Sequence, residues 1–169
     1  MVRFVQLRSL ASLVLQLAIL GVLIAAFFIR FWQVSGPSMS PHVSSGEFVI
    51  INTLAYRFHT PTRGDIVTFR HDGVTPELYI KRVIGLPGDR IRIDRGVVYV
   101  NGSRLAEPYV QFPDDRSEAE ITIPPDNVYV LGDNRAVSED SRSFGPVPED
   151  ALTGKAVAGI WPLPSVGAL

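Results

Sequence analysis

The chain has 169 residues, of which 46% are hydrophobic and 20% charged, and its formal net charge is −1. That length suits one domain of ordinary size, and a mean hydropathy of +0.19 leans apolar for a soluble protein. The complete lack of cysteine excludes a disulfide scaffold, a thiol nucleophile and a Cys-ligated zinc site. No basic face or stripe marks a nucleic-acid binder.

The charge is unevenly placed. Residues 1–32 hold Arg3, Arg8 and Arg30 and no acid, a net +3, which leaves 13 bases and 17 acids, a net −4, for the remainder. From Leu10 to Ile29 run 20 residues without a charge, with Ser12 and Gln16 the only clearly polar members. Wound as a helix at about 1.5 Å per residue, such a segment spans roughly 30 Å, the hydrocarbon thickness of a bilayer. Phe27, Phe28, Phe31 and Trp32 cluster at its C-terminal end, as an interfacial aromatic belt does. A cleaved signal peptide and a buried helix of a soluble protein are the rivals. The first calls for a shorter apolar region and a small-x-small site after it, where Phe27-Phe-Ile-Arg-Phe-Trp32 stands instead. The expectation is an uncleaved anchor within residues 1–32 and a single domain over residues 33–169. Arg3, Arg8 and the amino terminus outweigh Arg30, which places the N-terminus in the cytoplasm and the domain outside it.

Residues 33–169 contain most of the 13 prolines and 14 glycines. Between these turn signals lie short β-branched runs: Phe48–Ile51, Asp65–Phe69, Leu78–Ile84, Arg90–Ile93, Val97–Val100, Asn127–Leu131 and Ala156–Trp161. The pattern predicts a mainly β domain. Asn101-Gly102, between Val100 and Ser103, predicts a hairpin with a type I′ turn. Residues 106–126 are acidic, Pro-rich and weakly patterned, and read as a surface excursion. Trp161 and Leu163 are candidates for resting on lipid, with a buried strand end as the competing reading.

Three segments carry groups that could do chemistry. In Ser35-Gly-Pro-Ser-Met-Ser-Pro41, Gly36 and Pro37 shape a turn that could expose the Ser38 hydroxyl and aim backbone N–H groups at an oxyanion; an ordinary polar loop is the alternative. In Leu78–Asp89, strand alternation puts Lys81 on one face with Tyr79 and Val83. Facing inward, that lysine would be desolvated and its pKa lowered from about 10.4 towards the range of a general base; facing outward, it would snorkel to solvent. Arg82, on the other face with Ile80 and Ile84, has the same two readings. In Leu131–Gly145, Asp133, Arg135, Ser138, Asp140 and Arg142 can build a network of charge-assisted hydrogen bonds. A calcium loop is disfavoured because Arg135 and Val137 take two ligand positions. None of His42, His59 and His71 sits in a recognisable motif, His71-Asp72 reads as a polar turn before Gly73, and there is no Gly-x-Ser-x-Gly elbow.

Taken in order, the anchor, Ser38-Met39 with Pro41, Arg63–Phe69, Tyr79–Asp89, and Gly132-Asp-Asn-Arg135 with Ser138, Asp140, Ser141 and Arg142 resemble the bacterial type I signal peptidases. The resemblance spans essentially the whole chain. It implies a membrane-bound serine endopeptidase that removes signal peptides from exported preproteins after small-x-small sites, using a Ser/Lys dyad on a mainly β fold, with no metal or other cofactor. Carried over residue by residue, it makes Ser38 the nucleophile and Lys81 the general base. Ser138 is then the serine that orients the lysine, and Asp140 and Arg142 are the ion pair that holds their loop. The Ser38 N–H supplies one oxyanion donor. Gly36 stands where one branch of the family has a serine hydroxyl, which leaves backbone or water as the second donor. His42-Val43 and Ala136-Val137 also depart from common family residues. Val34, Met39, Val43, Tyr79 and Ile80 resemble the lining of the substrate pocket, and the substrate is expected to bind extended, along strand edges near residues 33–36 and 79–81. The implied partners are preproteins and the lipid bilayer, with no nucleic acid, and the implied location is the outer face of a bacterial plasma membrane. A self-cleaving repressor-type Ser/Lys protease shares the dyad but not the apolar segment at residues 10–29. A membrane-tethered β domain that only binds is the reading from outside the enzymes.

Overall fold

A computed structural model of the chain describes residues 2–71, 77–161 and 167–168. Leu163 and the Asp72-Gly73 turn lie outside them. Helix α1, Val2–Phe28, has no segregated apolar face, unlike a half-solvated surface helix. Its stretch Ala11–Phe28 is long and apolar enough to cross a membrane, and none of it is buried against the rest of the protein.

The helix ends at Phe28 and the chain passes directly into strand β1, Ile29–Gln33, which pairs antiparallel with β2, Phe48–Asn52. The sheet therefore starts four residues before the boundary drawn at residue 33. Phe31 and Trp32, read from composition as part of an aromatic belt, are strand residues. Phe31 is 66% exposed, while Trp32 packs against the core.

After the one-turn helix α2, Ala55–Phe58, come β3, Ile66–His71, β4, Glu77–Gly85, β5, Arg90–Asp94, β6, Val97–Val100, and β7, Ser103–Arg104. Then follow β8, Glu118–Thr122, β9, Asn127–Leu131, α3, Ser141–Phe144, β10, Val147–Pro148, β11, Leu152–Trp161, and β12, Gly167–Ala168. The larger sheet runs β1-β2-β11-β3-β4-β9-β10, with β12 added beside β11; the smaller runs β7-β6-β5-β8. Asn101 (φ 52°) and Gly102 (φ 81°) both take the left-handed conformation between β6 and β7, as a type I′ hairpin requires.

Strand alternation distributes the core over three clusters. Ile66 and Ile80 join Val34, Met39, Val43, Val49 and Ile51 on one side. Val67, Phe69, Val83, Val128 and Val130 form a second cluster. Ile84, Tyr129 and Leu131 pack under the small sheet with Ile91, Ile93 and Val98. Strands β3, β4 and β9 are thus covered on both faces, which accounts for their nearly continuous apolar runs.

Residues 106–126 are mostly exposed, yet they are tied into the fold. They contain β8, which pairs with β5, and Ile123, only 1% exposed. Tyr109 packs against the cluster under the small sheet. The segment is tied down largely by polar contacts, so it lacks the hydrophobic period that would announce it.

Candidate active site

The turn after β1 is built by backbone bonds: Val34 N–H donates to Glu47 O (2.8 Å), Ser40 N–H to Pro37 O (3.1 Å) and Val43 N–H to Met39 O (2.9 Å). Beneath it, Met39 and Val43 are fully buried and fix the turn to the core. Ser38 is left at the surface of that plug. Strand β4 delivers Lys81 from the other side, and Lys81 Nζ donates to Ser38 Oγ at 2.9 Å and to Ile80 O at 3.0 Å. Both faces of β4 are covered, so Lys81 is only 3% exposed. Burial lowers its pKa to about 8, against the opposing pull of the Asp140 and Glu139 charges. A substantial fraction of neutral amine is thereby present in mildly alkaline solution.

The loop after β9 closes the site. Asn134 N–H donates to Ser38 O at 3.0 Å, so the nucleophile's own carbonyl is pinned by the loop. Asp140 accepts at Oδ2 from Gly132 N–H (3.0 Å). It forms a two-point bond with Arg142, both contacts 2.8 Å, and also caps α3 through Arg142 N–H. Burial opposes the carboxylate, but the Arg142 hydrogen bond and charge hold the Asp140 pKa below its usual value. Two acids of the 106–126 segment complete the frame. Asp114 takes Arg142 Nη1 at 2.6 Å, and Glu107 takes Arg135 Nη2 at 2.5 Å.

Arg82, next to Lys81 but on the opposite face, forms a second two-point bond to Asp133, at 2.8 and 2.6 Å. It also stacks over Tyr109, 4.2 Å from the ring centroid. Lys81 and the loop are thus locked into one unit. Truncating one partner of such a buried pair leaves an uncompensated charge and costs about 3–5 kcal/mol. Asp133→Ala is therefore expected to lower the unfolding free energy of the domain by that amount, and its denaturant midpoint with it; an unchanged midpoint would count against the lock.

Three expectations about the site need correction. Ser138 is 4% exposed, but its hydroxyl makes no hydrogen bond of standard geometry among the described residues. It is turned towards Gly132 and near enough to Asp140 to help keep that acid charged, whereas the lysine is held by Ser38 and Ile80. The Gly36 N–H is not an open oxyanion donor: with φ at +90°, Gly36 directs it to Ser45 Oγ at 3.2 Å. The Ser38 N–H, by contrast, has no intramolecular acceptor among the described residues. Finally, Val34, Met39 and Val43 support the site from below instead of lining it. The cleft beside Ser38 and Lys81, about 200 Å³, is lined by Tyr79 and Ile80, together with Trp32, Leu78, Val137 and Glu139. Among the described residues, no histidine lines it.

Along this cleft β4 is half-paired. Its bonds to β3 run from Glu77 to Arg82, but those to β9 begin only at Arg82, so residues 78–81 present an open edge to an extended chain. No group of His, Asp and Glu able to hold a metal occurs among the described residues.

The mainly β fold thus sets a serine hydroxyl and a buried lysine in contact at an open strand edge. The family profile described as signal peptidase, peptidase S26, matches residues 7–161, and the chain belongs to that family. The probable signal peptidase I-2 of Synechocystis is 38% identical over 156 residues, 89% of this chain and 72% of the relative. The signal peptidase I of Bacillus caldolyticus is 39% identical over 150 residues, 80% of this chain and 81% of the relative. A crystal structure of a signal peptidase I from Enterococcus faecalis, 32% identical, superposes with a TM-score of 0.50 over 57% of this chain and 97% of that one.

Proposed function

We propose that the chain is a membrane-anchored signal peptidase I that cleaves exported preproteins by a Ser38/Lys81 dyad. The observation that carries this reading is the 2.9 Å contact between Ser38 Oγ and a lysine whose pKa burial has lowered to about 8. Neutral Lys81 Nζ accepts the Ser38 hydroxyl proton as Oγ attacks the scissile carbonyl. The Ser38 N–H donates to the developing oxyanion. Lys81 then gives its proton to the leaving amine, and water hydrolyses the acyl-enzyme by the reverse transfer. Asp140 and Arg142 keep the loop that pins Ser38 in place. Ser138 serves as a packed positioning hydroxyl beside them.

The preprotein adds as a strand along residues 78–81, and the small cleft under Trp32, Tyr79 and Val137 admits small side chains. Exclusion by size is the sharper kind of selection available to an apolar pocket. Helix α1 anchors the domain, with its arginine-flanked N-terminus in the cytoplasm and the site on the outer face. The test is cleavage of a preprotein by the purified full chain. Ser38→Ala is expected to abolish cutting, and a leucine in place of the small residue before the scissile bond to slow it at least tenfold. Equal rates with either change would contradict the reading.

Glu139 faces the cleft and raises the pKa of the dyad lysine. Removing its charge lowers that pKa further, so the alkaline rise in kcat/KM is expected at lower pH in Glu139→Gln. A pH–rate profile checks this, and a shift in the other direction contradicts it.

A further inference from the structure

A cavity of about 560 Å³, larger than the substrate cleft, lies away from the dyad at the foot of α1. Its volume falls within the roughly 300–1,000 Å³ typical of small-ligand sites. One wall is the last turn of the helix, Phe27 and Phe28, and three arginines reach it from three separate elements: Arg30 on β1, Arg57 on α2 and Arg70 on β3. All three are exposed, and no acid lies within ion-pair distance of any of them among the described residues.

Glu149 and Asp150 also contribute to the lining, which therefore carries a net +1. Burial and the charge of Asp126 push the Glu149 carboxyl up, which weakens its competition for the arginines. In the cavity wall Phe27 is 70% exposed, and Phe31 (66%) and Phe58 (76%), next in the chain to Arg30 and Arg57, also expose aromatic rings. Guanidinium groups without an acid partner beside exposed aromatic rings, in a domain that is otherwise acidic, match the interface of a membrane. There rings settle at headgroup depth and guanidinium forks take phosphate oxygens two at a time.

We propose that this cavity binds the phosphodiester headgroup of an anionic membrane lipid. The proposal rests on the reading of α1 as a membrane anchor and adds to it a fixed contact between the β domain and the bilayer surface. Such a contact would set the height of the cleft above the membrane.

The test is calorimetric titration of the purified full chain, in a non-ionic detergent, with dihexanoyl phosphatidylglycerol. Saturable binding is expected. Arg57→Gln/Arg70→Gln should weaken it about tenfold or more, since each basic group near an anionic lipid contributes a comparable factor. Arg57→Lys/Arg70→Lys should restore a good part of the loss. Arg95→Gln, a charge-matched change at an exposed turn of the small sheet, should have no effect. Dihexanoyl phosphatidylcholine and inorganic phosphate should both bind more weakly.

Equal binding by the double variant, equal loss in Arg95→Gln, or phosphate binding as tight as the lipid would each overturn the proposal. Both arginines are exposed, so the variants are expected to keep the native circular dichroism spectrum; a loss of binding that the lysine pair fails to relieve counts against the site. Flotation of the full chain with phosphatidylcholine vesicles reports on the anchor, and preprotein cleavage in detergent reports on the peptidase. Both are independent of Arg57 and Arg70, so failure of either reading is separable from failure of the lipid site.

Discussion

Lys81→Met is expected to lose preprotein cleavage by about 10⁴-fold, the scale of a missing general base, and at the same time to stabilise the protein. The two effects share one cause. Strand β4 is covered on both faces, and burial lowers the Lys81 pKa from 10.5 to about 8. A folded state that binds a proton more weakly than the unfolded chain loses stability as pH falls. The loss begins below the unfolded value of 10.5 and is complete below about 8. At about 1.4 kcal/mol per unit, the lysine costs the fold about 3 kcal/mol at neutral pH. Methionine has a similar length and no charge, so chemical denaturation at pH 7 should show a gain of about 1–3 kcal/mol that shrinks towards pH 10. A destabilised Lys81→Met protein would mean that the amine is not desolvated and is not poised as a base.

Gly132→Ala is expected to be the second most damaging change, although residue 132 touches no substrate. A Cβ at this position would collide with Ser138 Oγ and come within 2.5 Å of both Ser138 Cβ and Ser38 O. The backbone there has little room to retreat, because Gly132 N–H is bonded to Asp140 and Gly132 O accepts from Arg135 Nε at 3.0 Å. The loop and the nucleophile's turn must therefore part. Overpacking of this kind costs about 1–3 kcal/mol. A shift of about 1 Å in a reacting group can cost about 100-fold in rate. The expected outcome is a folded protein with kcat reduced about 100-fold and KM little changed. Wild-type kcat would show that the packing of Ser138 and Ser38 around Gly132 has no part in placing the dyad.

The strands were legible where β-branched runs ended at glycine or proline. Asn127–Leu131 and Val97–Val100 occupy the residues that the pattern predicts, and Asn101-Gly102 makes the hairpin turn that its residue types require. Strand β1 was hidden because the apolar segment runs unbroken from helix into sheet. The orientation of Lys81 was not decidable from alternation, since both Tyr79-Lys81-Val83 and Ile80-Arg82-Ile84 point at packed surfaces. Alternation also says nothing about depth, which is why Val34, Met39 and Val43 read as pocket lining while they lie below it. Residues 106–126 gave no comparable signal. Glu107 and Asp114 sit in an acidic stretch and meet Arg135 and Arg142 in the loop after β9, which itself carries three acids. Which acid meets which arginine is set by the fold. The role of Gly132 has no local signature, because it depends on Ser38 and Ser138 arriving from elsewhere in the chain.

The central claim is that an amine, and no imidazole, activates Ser38. The measurement that tests it most directly is the pH dependence of kcat/KM for preprotein cleavage by the full chain and by a variant in which His42, His59 and His71 are all replaced by glutamine. The account predicts that both enzymes rise through one apparent pKa of about 8, the value burial gives Lys81, and reach the same plateau. A rise centred near pH 6.5 that disappears with the three histidines would contradict it.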